Sequence, residues 1–211
     1  LFKLLHSPTR QLINFKMANS LTKRREPFKF MLYLSILGSG LLFFFVLFVF
    51  VKRKFDNEGL YVPIPNAFWL STIAILLSSG TLAAAKHFFK NEKFNDYRLT
   101  VTVTFALGML FLVSQAWGWQ EMLGQNIRLD NNTGGSFVYV LSGLHLAHTF
   151  GGILALLVVV FDAFRNKSYV DSYVYSVNPP NQLRLQLTSI YWHFVDVLWL
   201  ILFVFLLYHA A

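Results

Sequence analysis

Five long stretches almost without charge set the limits on what this chain can fold into. They run from Phe30 to Val51, between Glu58 and Lys86, from Leu99 to Gln120, between Asp130 and Asp162, and from Leu185 to about Tyr208. The last contains a single charge, Asp196. A helix needs roughly 20 apolar residues to cross a bilayer, so each stretch is long enough. A transmembrane barrel would show alternating segments of about ten residues, and none occur. The first stretch is too long for a signal-peptide core and no small-residue cleavage site follows it. The pattern predicts an all-α polytopic membrane protein, a bundle of five transmembrane helices.

Composition supports the same reading. Hydrophobic residues make up 55% of the 211 positions and charged residues 13%. Soluble domains carry roughly 25% charged residues, so a water-soluble globule and a disordered chain are both excluded. Cysteine is absent, which removes disulfides, Cys–zinc sites, iron–sulfur clusters and thiol nucleophiles. The net charge of +8 sits in clusters between the uncharged stretches. That is the layout of membrane topology, and no nucleic-acid partner is expected. With five spans, the N-terminal tail and the second and fourth loops share a side and hold 14 of the 18 Lys and Arg residues. The positive-inside rule then places the N-terminus inside and the C-terminus outside.

The organisation follows. Residues 1–29 read as a basic N-terminal tail and 30–211 as the five-helix transmembrane domain. Loops are short and punctuated by Pro63 and Pro65, by Gly134-Gly135-Ser136 and by Asn178-Pro179-Pro180. No internal repeat is visible, which disfavours an inverted-repeat transporter. Met17-Ala18-Asn19-Ser20 looks like a natural start, so residues 1–16 read either as an over-extended start or as a basic amphipathic arm. The arm would use Leu1, Phe2, Leu4, Leu5, Leu12, Ile13 and Phe15 on a membrane surface.

Polar groups deep in a bilayer cost about 2.5–3.5 kcal/mol each, so each needs a reason. His145 and His148 stand three residues apart in the fourth span, and His193 and Asp196 three apart in the fifth. The last pair can form a charge-assisted hydrogen bond within one helix. Three chemical roles fit these residues: haem ligation, copper or zinc ligation, and proton relay. A fourth role, a buried polar network tying helices together, needs no chemistry. Two histidines one turn apart cannot hold opposite faces of a haem, so a haem reading also requires His193 or another chain.

The fourth span also carries Gly143, Ala147, Gly151 and Ala155, each four apart, the small-residue spacing that lets helix backbones approach. Ala74 and Ser78, followed by Ser79-Gly80, give a shorter version in the second span. Tyr61, Trp69, Trp117, Trp119, Tyr191, Trp192 and Trp199 are expected to lie mostly near helix ends, as interfacial belts. Phosphate-cradling glycine loops, G-x-S-x-G and H-E-x-x-H are missing, and no carboxylate pair suits acid–base catalysis.

The run Tyr191-Trp192-His193-Phe194-Val195-Asp196-Val197-Leu198-Trp199-Leu200 resembles the last-helix signature of subunit III of haem–copper terminal oxidases, including cytochrome c oxidase. Gly143-Leu144-His145-Leu146-Ala147-His148, with Gly151-Gly152 downstream, is similar to that family's G-x-H-x-x-H. Pro65-Asn66, Leu77-Ser78-Ser79-Gly80 and Ala85-Lys86-His87 in the second span fit as well, as do Leu107-Gly108 and Gln115 in the third. The resemblance covers most of residues 30–208. Three departures stand out. The family's longer members have seven helices, so this chain looks like the short bacterial form lacking the first two. The family's early-helix Glu has no counterpart, because no carboxylate lies between Lys29 and Lys52. The acidic-aromatic pair ending the third helix is also altered, to Trp117-Gly118-Trp119-Gln120-Glu121.

The resemblance implies a non-catalytic subunit of a proton-pumping aerobic oxidase moving electrons from cytochrome c to oxygen, in the bacterial cytoplasmic membrane. It implies no haem or copper in this chain, those belonging to partner subunits, and bound phospholipid. Expected partners are subunit I directly, subunit II and a larger respiratory supercomplex. It assigns His145, His148, Tyr191, Trp192, His193, Asp196 and Trp199 to a buried polar network, and Gly143, Ala147, Gly151, Ala155, Asn66, Ser78 and Ser79 to helix packing. Two alternatives stay open: subunit III of a quinol oxidase or a nitric-oxide-reductase accessory protein, and an independent membrane haem protein using His145 or His148 with His193.

Overall fold

The computed structural model describes residues 8–56, 63–129, 133–166 and 168–210, with side chains from residue 27 onward. The expected amphipathic arm and Tyr61 lie outside the described side chains. Among the described residues every regular element is helical: α1 Pro8–Asp56, α2 Ala67–Lys90, α3 Phe94–Gly124, α4 Thr133–Arg165, α5 Tyr169–Val177 and α6 Pro179–Ala210. Five helical segments are long and apolar enough to cross a membrane: Pro27–Phe55, Ala67–Lys90, Phe94–Gly124, Thr133–Arg165 and Pro179–Ala210.

The chain divides into two compact units, Leu1–Gly40 and Leu41–Ala211. In the first, the described large side chains Phe28, Phe30, Met31, Leu34 and Leu37 are all exposed. In the second, α2 packs on α3, α3 on α4, α4 on α6 and α6 back on α2, while α5 packs on α6. The part of α1 in this unit buries Phe50 against Phe137 of α4 and Phe205 of α6. Lys54 donates to the His209 carbonyl at 2.7 Å, where the carbonyls at the end of α6 lack helical partners.

Two features differ from the sequence expectation. The last helix begins at Pro179, six residues before the uncharged stretch that announced it. Proline belongs in a first turn, where its missing N–H leaves nothing unbonded and its fixed φ suits the helix. The stretch before it contains α5, where the sequence predicts only loop. Nine residues are too short to carry a helical signal of their own. α5 is held from outside: the Ser172 hydroxyl bonds the Asn166 carbonyl at 2.7 Å and receives Arg98 Nη2 at 2.9 Å. Arg98 also donates to the Ala163 and Asn166 carbonyls, at 3.0 and 2.7 Å, and so caps the C-terminus of α4.

Close backbone approach is concentrated at three glycines. A Cβ on Gly108 would sit 2.8 Å from the Trp192 ring, one on Gly152 3.0 Å from it, and one on Gly118 2.6 Å from the Phe68 ring. Both rings are fully buried and have nowhere to move. Gly80 faces open space. Gly108→Ala is therefore expected to destabilise the bundle by about 1–3 kcal/mol, the usual range for overpacking. Gly80→Ala should be neutral or stabilising. Denaturant unfolding of the detergent-solubilised protein measures both, and equal effects at the two positions would refute the packing argument.

Candidate functional site

The polar residues of the spans meet in a chain of cross-helix hydrogen bonds built from one repeated device. A serine or threonine hydroxyl donates back to a carbonyl three or four residues earlier in its own helix. Its oxygen then still accepts an N–H from the neighbouring helix. Ser78 donates to the Ile75 carbonyl at 2.7 Å and accepts the Trp192 indole N–H at 3.0 Å. Thr72 donates to the Phe68 carbonyl at 2.7 Å and accepts the Trp199 indole at 3.0 Å. Ser71 accepts Gln115 Nε2 at 2.9 Å, and Ser142 accepts the Trp119 indole at 2.9 Å. The acceptors Thr72 and Ser78 on α2 are six residues apart, and the donors Trp199 and Trp192 on α6 are seven apart. Both spacings are within about a third of a turn of two full turns, so the two rows face one another in antiparallel helices.

Trp192 and Trp199 are thus buried completely and stand apart from the interfacial belt expected for most of the aromatic residues. A ring that finds a donor-accepting hydroxyl at mid-span has no need of the interface. Trp69 and Trp117, half or more exposed, keep outward positions.

Each of the sequence-marked ionisable residues has its own surroundings. The His145 ring is fully buried between Trp199, centroids 5.1 Å apart, and Phe111, 5.6 Å apart. Its Nε2 lies 3.1 Å from the Thr149 hydroxyl, which also bonds the His145 carbonyl at 3.0 Å. With the hydroxyl proton on that carbonyl, Nε2 carries the hydrogen and Nδ1 is an acceptor without a partner among the described residues. His148 turns elsewhere, bonding the Leu144 carbonyl through Nδ1 at 2.8 Å and meeting the Phe43 ring at 5.5 Å. The Tyr191 hydroxyl donates to the His148 carbonyl at 3.0 Å and ties α6 to α4.

His193 Nδ1 lies 2.8 Å from the Ser79 hydroxyl and 3.8 Å from Asp196 Oδ2. The hydrogen bond expected within α6 is therefore replaced by one to α2. A residue three positions on is rotated by about 60° around the helix, and here the imidazole swings toward α2. Asp196 is 3% exposed, and neither carboxyl oxygen has a hydrogen-bond partner among the described residues. The three imidazoles have three different neighbours. Among the described residues no three His, Cys, Asp or Glu side chains form a group able to hold a metal.

The small-residue stripe, expected as a helix-packing surface, faces away from its own bundle at its middle. Ala147 and Gly151 are exposed, and Gly143 and Ala155 are half-buried. The buried seam of α4 runs one position over, through Ser142, His145, Thr149, Gly152 and Leu156. Asn66 reaches across to Glu121, Nδ2 to Oε1 at 3.2 Å, joining the start of α2 to the end of α3. Sequence reading missed Ser71, Thr72 and Ser142 as partners. The hydroxyl pairs 71–72 and 78–79, seven apart like the two tryptophans, were the available signal.

At the end of the bundle that carries α5, Asp162 accepts the Tyr175 hydroxyl at 3.0 Å and pairs with Arg184, joining α4, α5 and α6. Burial, and then the bond to Asp162, push the Tyr175 hydroxyl up to about 12.

Comparison with known proteins gives this arrangement a family. The sequence model described as cytochrome c oxidase subunit III matches residues 24–211. The chain belongs to the cytochrome c oxidase subunit III family. Cytochrome c oxidase subunit 3 of Thermostichus vulcanus is 29% identical over 181 residues, 84% of this chain and 82% of the relative. The same-named protein of Corynebacterium diphtheriae is 29% identical over 141 residues, 66% of this chain and 64% of its own length. A probable quinol oxidase subunit 3 of Staphylococcus saprophyticus is 26% identical over 134 residues, 64% of this chain and 62% of its own length.

Two outcomes test this geometry. Asp196→Leu removes a buried carboxyl that makes no hydrogen bond and lies 3.8 Å from the His193 imidazole, so its desolvation cost is not repaid by a close, hydrogen-bonded pair. The isolated chain should unfold at the same or higher denaturant, and a loss above about 3 kcal/mol would show that the carboxyl has a partner after all. For Tyr175 the raised folded-state pKa means the stabilisation is complete below its ordinary value of 10.0 and is lost as pH rises toward about 12. Tyr175→Phe should flatten the alkaline fall in stability across that window, and an unchanged fall would place its cause elsewhere.

Proposed function

We propose that this chain is the non-catalytic subunit III of a proton-pumping aerobic oxidase that carries electrons from cytochrome c to oxygen. It sits in the bacterial cytoplasmic membrane with the N-terminus inside and the C-terminus outside. The observation that carries this reading is the family match over residues 24–211, which takes in all of α2–α6. The charge pattern supports the orientation, with Lys86, Lys90, Arg98, Arg165 and Arg184 at one end of the bundle.

The chemistry belongs to subunit I, which holds haem and copper, and to subunit II. This chain braces subunit I. Its polar network fixes the positions of four helices through Trp192, Trp199, Tyr191 and His193 on α6 and through Gln115 and Trp119 on α3. His145 and Asp196 are buried beside it, and His148 is half-buried. Its outer surface is apolar, and Ala147 and Gly151 leave a shallow strip on α4 where a neighbouring helix or acyl chain can approach. Bound lipid fills the rest. A quinol oxidase is the second reading, favoured by the Staphylococcus relative.

The test is a reduced-minus-oxidised spectrum of the tagged chain purified in mild detergent, taken before and after its partners are stripped. Oxidase haem is expected before stripping and not after. Haem that stays with the stripped chain overturns the proposal in favour of a self-contained haem protein. Oxygen uptake by the unstripped complex with reduced cytochrome c, against uptake with quinol, decides the donor.

A further inference from the structure

A cavity of about 450 Å³ opens between the last turn of α2, the end of α5 and the first turns of α6. Its floor is apolar, formed by Phe89 and Leu185, both buried. Its rim is cationic. Lys86 and Lys90, one helical turn apart on the same face of α2, both line it. Neither ammonium has an acceptor among the described residues. The neighbouring cations are engaged in the fold, Arg98 on the α4 carbonyls and Ser172, Arg184 on Asp162. Glu92 also lines the rim, and its Oε2 accepts the Tyr169 hydroxyl at 3.2 Å. Gln182 commits its amide N–H to the Ser176 carbonyl at 2.8 Å, while the Gln186 amide is uncommitted.

Two unpaired ammonium groups above an apolar floor, at the end of a transmembrane bundle, match an amphiphile whose head is anionic. We propose that this cavity binds a phosphate-bearing anion, with Lys86 and Lys90 as its counter-charges and Gln186 as a neutral donor. The anion is the headgroup of a glycerophospholipid, whose ester and first acyl carbons cover Phe89 and Leu185. Free orthophosphate shares the recognition chemistry but leaves that floor uncovered. The inference gives the lipid part of the proposed function one place and one headgroup chemistry. It rests on membrane placement and not on assembly with oxidase subunits.

The full chain, reconstituted in phosphatidylcholine nanodiscs containing phosphatidylglycerol, is transferred to detergent and weighed by native mass spectrometry. Wild type is expected to retain phosphatidylglycerol. Lys86→Gln with Lys90→Gln should weaken retention about thirtyfold, roughly fivefold for each lysine near the surface. Lys86→Arg with Lys90→Arg should keep it, as should Lys93→Gln outside the cavity. Circular dichroism establishes that each variant is folded, and either single Lys→Gln variant, at roughly fivefold weaker, serves if the double variant is not. Displacement of the lipid by excess orthophosphate would assign the site to free phosphate and overturn the lipid headgroup. Equal retention by wild type and the Gln variants overturns the site. Either failure leaves the haem co-purification result untouched.

Discussion

The indole of Trp192 touches all four helices of the bundle core. It rises from α6, lies against the backbone of Gly108 in α3 and Gly152 in α4, and donates its N–H to Ser78 in α2. In hydrocarbon no water competes for that N–H, so a missing acceptor would cost several kcal/mol. The glycines let the ring in, and the serine oxygen fixes its rotation. Change any one of the three and the ring must move, taking α6 with it. Trp199 repeats the arrangement two turns on, with Thr72 as acceptor and the rings of Phe68, Phe111 and His145 around it.

From this centre the order spreads to both ends by different means. At one end, Asn66–Glu121 and the Tyr139 hydroxyl on the Ile127 carbonyl close the helix ends. At the other, Arg98, Asp162, Tyr175 and Arg184 fasten α5 beneath α4 and α6. Individual hydrogen bonds in membrane bundles are each worth only about 0.6 kcal/mol on average, so geometry rather than strength is their contribution. They define which face of each helix turns inward. That leaves large apolar side chains of the spans facing outward, as lipid requires.

Much of this was legible in the chain. Five stretches almost without charge gave five spans among the described residues, and the run from Tyr191 to Leu200 pointed to the family to which the chain belongs. Other features were hidden for physical reasons. Only the family resemblance set Trp192 and Trp199 apart from belt tryptophans, and their acceptors stayed hidden, since a sequence does not display whether a hydroxyl on another helix stands opposite an indole. The pair His193 and Asp196 suggested a bond within α6, yet the serine on α2 was nearer to the imidazole. The four-residue spacing of Gly143, Ala147, Gly151 and Ala155 marked a real strip, but spacing alone does not say which side of a helix faces its own bundle.

The sequence by itself determined the helical class, the number of spans and the residues that need partners, because lipid imposes length and polarity locally along the chain. Only the tertiary structure decided which partners those residues take and which faces stay open. Those choices depend on the rotation and register of antiparallel helices. Rotation and register are set by steric contacts such as Gly108 and Gly152 against Trp192, between residues far apart in the chain.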